Sequence, residues 1–166
     1  MSITIICVGK IKEKYLRSAI DEYTKRLSRY CKLNIIELSD EKTPDNASGK
    51  EETLIKVKEG EAILKNIKDN MFVIALELRG NMVSSEEFSN YIMDLGVRGV
   101  SNIVFVIGGS LGLSKGVLER SNYKLCFSKM TFPHQLFRVM LLEQIYRGFR
   151  IIKIGRASCR ERVYGE

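Results

Sequence analysis

Two stretches of this 166-residue sequence hold residue types that can do chemistry. Gly108-Gly109-Ser110-Leu111-Gly112 is a glycine-rich run leading to Ser114. Residues 130–150, MTFPHQLFRVMLLEQIYRGFR, carry the only histidine, His134, together with Glu143 and the arginines Arg138, Arg147 and Arg150. Glycines let a ligand approach backbone amides directly, and arginine grips phosphate or an electron-rich base edge. The run lacks the GxxxxGK[ST] of a P-loop and the full GxGxxG fingerprint, so neither ATP nor NAD follows from it. On its residues alone it is equally a tight crossover turn. His134 alone reads first as a structural hydrogen-bonding residue and second as a base. Glu143 is spaced to pair with Arg147 one turn on.

Other elements must position these stretches. Residues 3–8 form a β-branched run ending at Gly9, which predicts a buried strand. Tyr15, Leu16, Ala19, Ile20, Tyr23, Leu27 and Tyr30 recur at helical spacing, leaving lysines and arginines on the other face. Residues 33–38 predict a second strand. Residues 39–50, with Pro44, Asp45, Asn46 and Gly49, predict a mobile loop. Leu54, Val57, Ala62, Ile63 and Ile67 predict a helix around Gly60, where close packing would account for the glycine. A strand over 71–76 is followed by the turn-like Arg79-Gly80-Asn81, and Ser84 with Glu87 forms a capping box before the next helix. Residues 102–107 predict a fourth strand, Ser114 an N-cap, and 123–127 a fifth strand. Pro133 suits the first turn of the last helix. This alternation predicts an α/β fold, a mostly parallel sheet with helices on both faces and ligands at the carboxyl ends of its strands.

Hydrophobic content of 45% against 28% charged is ordinary for a soluble globular protein, and the length fits one domain. No apolar run approaches the ~18–20 residues that span a bilayer. Residues 1–10 place a short apolar run before the first lysine, the reverse of an export signal, so the expectation is a cytoplasmic protein away from membranes. Cys7, Cys31, Cys126 and Cys159 form no CxxC or Cys/His cluster, which argues against zinc and against a disulfide framework. A net charge of +7 points to a polyanionic partner, a solvated basic surface being the alternative. The charge gathers at Lys10, Lys12, Lys14, Arg17, Lys25, Arg26, Arg29 and Lys32, and again at Arg138, Arg147, Arg150 and Lys153. Together these predict one RNA-facing surface.

Four motifs stand in order: ITIICVGKIKEKYL at 3–16, LELRG at 76–80, FVIGGSLGLS at 105–114 and MTFPHQLFRVMLLEQIYRGFR. Over residues 1–153 they closely resemble the RlmH family of SPOUT-superfamily methyltransferases. The resemblance implies a single domain, 1–153, with a SPOUT-type C-terminal trefoil knot in which the last helix threads a preceding loop. It further implies a homodimer paired through the terminal helices and S-adenosyl-L-methionine bound in a bent form among the knot loops. Carried over by motif, the cofactor contacts are Leu76, Gly108, Phe127, Ser128, Lys129, Met130, Thr131 and Phe132. The implied reaction is methylation of N3 of a pseudouridine in large-subunit (23S) ribosomal RNA within the ribosome, with no metal. A sulfonium donor is already activated, so alignment and removal of the N3 proton remain for the protein. Arg147 is the first candidate for holding the uracil ring or stabilising its developing charge, and His134 the second, for substrate contact.

The match ends at Lys153. Members of the family finish with a Gly-Glu-Pro-Tyr-His-Lys type tail whose Tyr-His pair sits at the active site near the dimer interface. Residues 154–166 instead read IGRASCRERVYGE, which resembles translated sequencing-adapter DNA and predicts a disordered foreign tail. Tyr164 matches the missing tyrosine in neither spacing nor neighbours. Without the tail's three arginines and two glutamates the charge is still +6. Gly148 stands where the family has alanine, which predicts a slightly looser last helix. The expectation is an intact cofactor site with substrate-side chemistry impaired by the replaced tail. The alternative is a non-catalytic ribosome- or RNA-binding protein. A nucleotide-binding oxidoreductase lacks its fingerprint.

Overall fold

The structure, a computed structural model, describes the backbone of residues 1–164 and the side chains of residues 1–155. Strands and helices alternate as β1 (Ser2–Val8), α1 (Lys14–Leu27), β2 (Lys32–Leu38), α2 (Gly49–Leu64), β3 (Phe72–Met82), α3 (Ser85–Val97), β4 (Asn102–Ile107), α4 (Lys115–Arg120), β5 (Tyr123–Cys126) and α5 (His134–Tyr164). The β-branched runs build one parallel sheet in the order β2-β1-β4-β3-β5. Ile5 stands between Ile35 and Phe105, and Ile74 between Phe105 and Tyr123.

Successive side chains of a strand point to opposite faces, and this divides the core into two layers. Ile3, Ile5, Ile103 and Phe105 meet Leu16 and Ile20 of α1, Phe88 and Ile92 of α3, and Leu141 and Leu142 of α5. Ile6, Val73, Val104 and Val106 meet Ile63 of α2 and Val117 of α4. Each such buried side chain contributes roughly 1.5–3 kcal/mol relative to exposure. Helices therefore cover both faces, as the alternation predicts, and α5 packs against both α1 and α3.

Two details differ from the sequence expectations. First, β3 does not stop at Leu76. Leu76 and Asn81 both face Leu125 of β5, so residues 77–80 bulge outward between them. The Arg79-Gly80-Asn81 signal marks this bulge, and a Cβ on Gly80 would lie 2.7 Å from the Lys124 carbonyl carbon, so glycine lets the bulge close on β5. Second, Leu54 and Val57 of α2 are 59% and 43% exposed, while Glu59, Gly60 and Ile63 face inward. Gly60 sets this rotation, because a Cβ there would collide with Ser114 Oγ and come within 3.0 Å of Ser114 Cβ. Close packing does explain that glycine. Similarly, Tyr15 leaves the buried face of α1 and is 70% exposed. The backbone of α5 is helical through Tyr164. Residues 165–166 lie outside the described residues, as does the side chain of Cys159.

The capping signals form as predicted. Ser84 and Glu87 make both bonds of the box, and Ser114 Oγ accepts the Val117 N–H at 3.4 Å. Cys7, Cys31 and Cys126 are unpaired, and burial pushes the Cys7 and Cys31 thiols up to about 11. Gly148 faces α3, where Ser89 Oγ donates to its carbonyl at 2.8 Å. A Cβ there would meet Phe88 Cδ1 at 3.7 Å, an ordinary contact. Gly148→Ala should therefore stabilise the protein by about 0.5–1 kcal/mol, read as a higher urea midpoint. A lower midpoint would show that α3 and α5 need the closer approach.

Candidate active site

A cleft of about 730 Å³ opens at the carboxyl ends of β3, β4 and β5, the side of a parallel sheet where ligands bind. One wall is Leu76 with the bulged Glu77, Leu78 and Arg79 of β3; another is the glycine loop after β4; the third combines residues after β5 with His134 and Phe137 of α5.

The glycine loop is a tight turn that also walls the cleft. Gly112 N–H donates to the Gly109 carbonyl at 3.0 Å and Gly112 takes φ +85, a conformation that favours glycine, so the run is a tight turn. It is also a cleft wall. A Cβ on Gly108 would lie 2.9 Å from the Gly112 carbonyl carbon. Beside this loop is the buried carboxylate of Glu59, both of whose oxygens would stand 3.2 Å from a Cβ on Gly109. Glu59 Oε2 accepts the Glu41 N–H at 3.2 Å. Burial raises its pKa, and the charges of Asp40 and Glu41 add to the rise against the lowering effect of that bond.

The segment after β5 takes its shape from local bonds. Cys126 Sγ donates to the Ser128 carbonyl at 3.2 Å, and Met130 N–H to Ser128 Oγ at 3.0 Å. The Phe127 and Phe137 ring centroids are 4.9 Å apart, tying the segment to α5. That helix opens with Phe137 N–H donating to the Pro133 carbonyl at 2.9 Å. Burial first, and then the charge of Arg138, hold His134 below its ordinary pKa of 6.5, so the imidazole is neutral at pH 7.

Leu76, Gly108, Phe127, Ser128, Met130, Thr131, Phe132 and His134 all meet in the cleft. Lys129 is exposed and stands outside its walls. Arg147 is not brought to it. The helix advances about 20 Å from His134 to Arg147 at 1.5 Å per residue, and the Arg147 side chain is 56% exposed, with Nε 3.7 Å from Glu143 in the expected pair. Arg138 does not join a basic surface, because it is buried, 2% exposed. Of the other cations, Arg17 pairs with Glu37 and Arg26 with Glu22. Arg26 also lies over the rings of Tyr23 and Tyr146, and Lys153 over Tyr30, where α1 meets α5.

Sequence reasoning did not single out Lys56 of α2 and Lys124 of β5, which line the cleft. No local spacing marks them, since the sheet order brings them together. Glu77 and Arg79 do lie within the LELRG motif. Among the described residues no group of three or more His, Cys, Asp or Glu is placed to hold a metal ion, and no helix is long and apolar enough to cross a membrane.

A parallel sheet ending in a glycine-loop cleft, beside the first turn of the terminal helix, defines an α/β protein with a cleft where proteins of this architecture bind ligands. The family described as predicted SPOUT methyltransferase matches residues 1–155. The chain belongs to that family. A Clostridium tetani protein named ribosomal RNA large subunit methyltransferase H is 77% identical over 152 residues, 92% of this chain and 96% of its own length. Its namesake in Clostridium beijerinckii is 76% identical over 153 residues, with the same coverage of 92% and 96%. In fold the chain is similar to a probable methylase family protein from Haemophilus influenzae Rd KW20, with a TM-score of 0.53 and 15% identity over 95% of this chain and 69% of that one.

Proposed function

We propose that the protein methylates N3 of a pseudouridine in large-subunit (23S) ribosomal RNA within the ribosome, in the cytoplasm, with S-adenosylmethionine as donor. The observation that carries this reading is near-full-length identity to relatives named ribosomal RNA large subunit methyltransferase H. The cleft at the carboxyl ends of the strands supports it, being placed where a small-molecule donor would bind.

The cleft suits the cofactor in chemistry. A Cβ on Gly108 would meet the Gly112 carbonyl carbon at 2.9 Å, so glycine lets the loop that walls the cleft close on itself. Leu76, Gly108, Phe127, Ser128 and residues 130–132 would hold the cofactor, with Leu76, Phe127 and Phe132 covering its apolar parts and excluding water. Glu77 on the same wall supplies a carboxylate toward cationic groups. When bound, S-adenosylmethionine supplies a methyl group on a positively charged sulfur. Neutral His134 is able to accept a hydrogen bond from the substrate N3–H.

The same reading includes a homodimer and an α5 threaded as a trefoil knot. Antiparallel pairing of two α5 helices about residues 140–141 would set Arg147 of one copy opposite His134 of the other. The 41% exposure of Leu136 supports this, as an apolar residue left uncovered on α5. Arg147→Ala is then expected to lower methyl transfer about a hundredfold without altering cofactor affinity, measured by labelled-methyl incorporation and calorimetry. A parallel loss of affinity would assign Arg147 a structural role instead.

The function itself is tested with ribosomes lacking the modification and labelled cofactor, using the chain as given and residues 1–153 carrying a Tyr-His tail. Methyl incorporation at N3 of a pseudouridine, greater with that tail, is expected. Salt-sensitive ribosome binding that ignores the cofactor, with no methyl incorporated by either chain, would transfer the assignment to RNA binding alone.

A further inference from the structure

The start of α5 is fastened by an arginine that lines no part of the cleft. Nη2 of Arg138 donates to the carbonyls of Val8 at 3.0 Å and Gly9 at 2.8 Å, and Nη1 reaches Glu37 Oε2 at 3.4 Å. Glu37 also accepts the Ile11 N–H at 2.8 Å and Arg17 Nη1 at 2.9 Å. Gly9 takes φ +97, a backbone state that favours glycine, and a Cβ there would stand 3.5 Å from Arg138 Nη2. The Arg138 Nε has no hydrogen-bond partner although it is buried. Burying a charge costs several kcal/mol unless partners compensate, so a leucine would serve better if only packing were needed here.

The anchored groups lead directly to the cleft. Val8 Cγ1 would lie 3.3 Å from a Cβ on Gly109, so the end of β1 supports the glycine loop. His134 precedes Arg138 by one turn on the same helix face. We propose that Arg138, backed by Glu37, is a positioning residue that docks the first turn of α5 onto the carboxyl end of β1 and so sets His134 against the glycine loop. The effect on cofactor affinity rests on the proposed function above; the anchoring of His134 does not.

Charges around His134 fix the signs to expect. Arg138 on its own helix lowers its pKa after burial has done so. Lys56, Glu77, Arg79 and Lys124 face the same cleft, and Glu37 with Arg17 lies beyond Arg138. Removing the Arg138 charge therefore raises the His134 midpoint toward 6.5. Neutralising Glu37 leaves Arg138 less compensated and lowers it.

The chain has one histidine, so NMR titration of the full chain reads its imidazole without ambiguity. Arg138→Met should raise the midpoint and weaken S-adenosylmethionine binding about tenfold, or about 1.4 kcal/mol. Glu37→Gln, which keeps an acceptor oxygen, should lower the midpoint. Arg138→Lys keeps the charge but lacks the fork that spans three acceptors; it should still raise the midpoint, because an undocked first turn relieves the burial that lowers His134, and it should weaken the cofactor. If Arg138→Met does not fold, the other two variants carry the test. Midpoints unmoved in folded Arg138→Met or Glu37→Gln would overturn the proposal. Failure of the unaltered chain to bind the cofactor would instead overturn the reading of the cleft, with the titration still deciding the role of Arg138.

Discussion

Gly108→Val is expected to abolish S-adenosylmethionine binding, a loss of at least about 1,000-fold or roughly 4 kcal/mol. Even the first added carbon meets the Gly112 carbonyl carbon at 2.9 Å, the Gly112 oxygen at 3.0 Å and Leu113 Cδ2 at 3.0 Å. Two of these are backbone atoms of the same tight turn, so no rotamer change relieves the contact. The turn must open, and its bridge between Gly109 and Gly112 is lost. Overpacking of this kind costs about 1–3 kcal/mol in stability, which leaves a typical domain folded. Calorimetry beside circular dichroism checks the result. A folded variant that keeps its affinity would place the cofactor elsewhere.

Glu37→Ala should cost about 3 kcal/mol of stability, the lower end for breaking a buried ion pair. The lower end applies because the Glu37 side chain is still 18% exposed, whereas that of Arg138 is 3% exposed. Alanine strands Arg138 and removes the acceptors of Ile11 N–H and Arg17. The pH dependence has a defined sign. Burial raises the Glu37 pKa, but hydrogen bonds from Arg17 and the Ile11 N–H and the charges of Arg17 and Arg138 outweigh it, and the net direction is below the ordinary 4.5. A carboxylate depressed in the folded state stabilises above its unfolded pKa, and that contribution fades as pH falls through the folded value. Urea melts should show the gap between wild type and Glu37→Ala in full above about pH 4.5 and narrowing below it. A gap independent of acid would mean the loss is one of packing alone.

Much of this architecture was legible because its signals are local. The β-branched runs around Ile5, Ile74 and Phe105 announced buried parallel strands, and Ser84 with Glu87 announced the start of α3. The glycine loop and, Lys129 apart, residues 127–132 were visible as motifs adjacent to strand ends, which is where the cleft lies. Failures occurred where a distant partner decides. Leu54 and Val57 had the spacing of a buried face, yet contact of Gly60 with Ser114 turns the helix another way. Arg138 counted as surface charge because its acceptors on Val8 and Gly9 lie 130 and 129 positions earlier. Lys56 and Lys124 had no signal at all. Arg147 was correctly paired with Glu143, but helical rise alone separates it from His134 within one chain.

Because β3 meets Leu125 both before and after its bulge, the sheet is indifferent to most of what lies between. Glu77, Leu78 and Arg79 form a cassette clipped at both ends, with Gly80 as the clasp that must stay small. They line the cleft and belong to neither apolar layer. Exchanges among these three positions can therefore retune what the cleft accepts at little expense to folding, which separates the inheritance of specificity from that of stability.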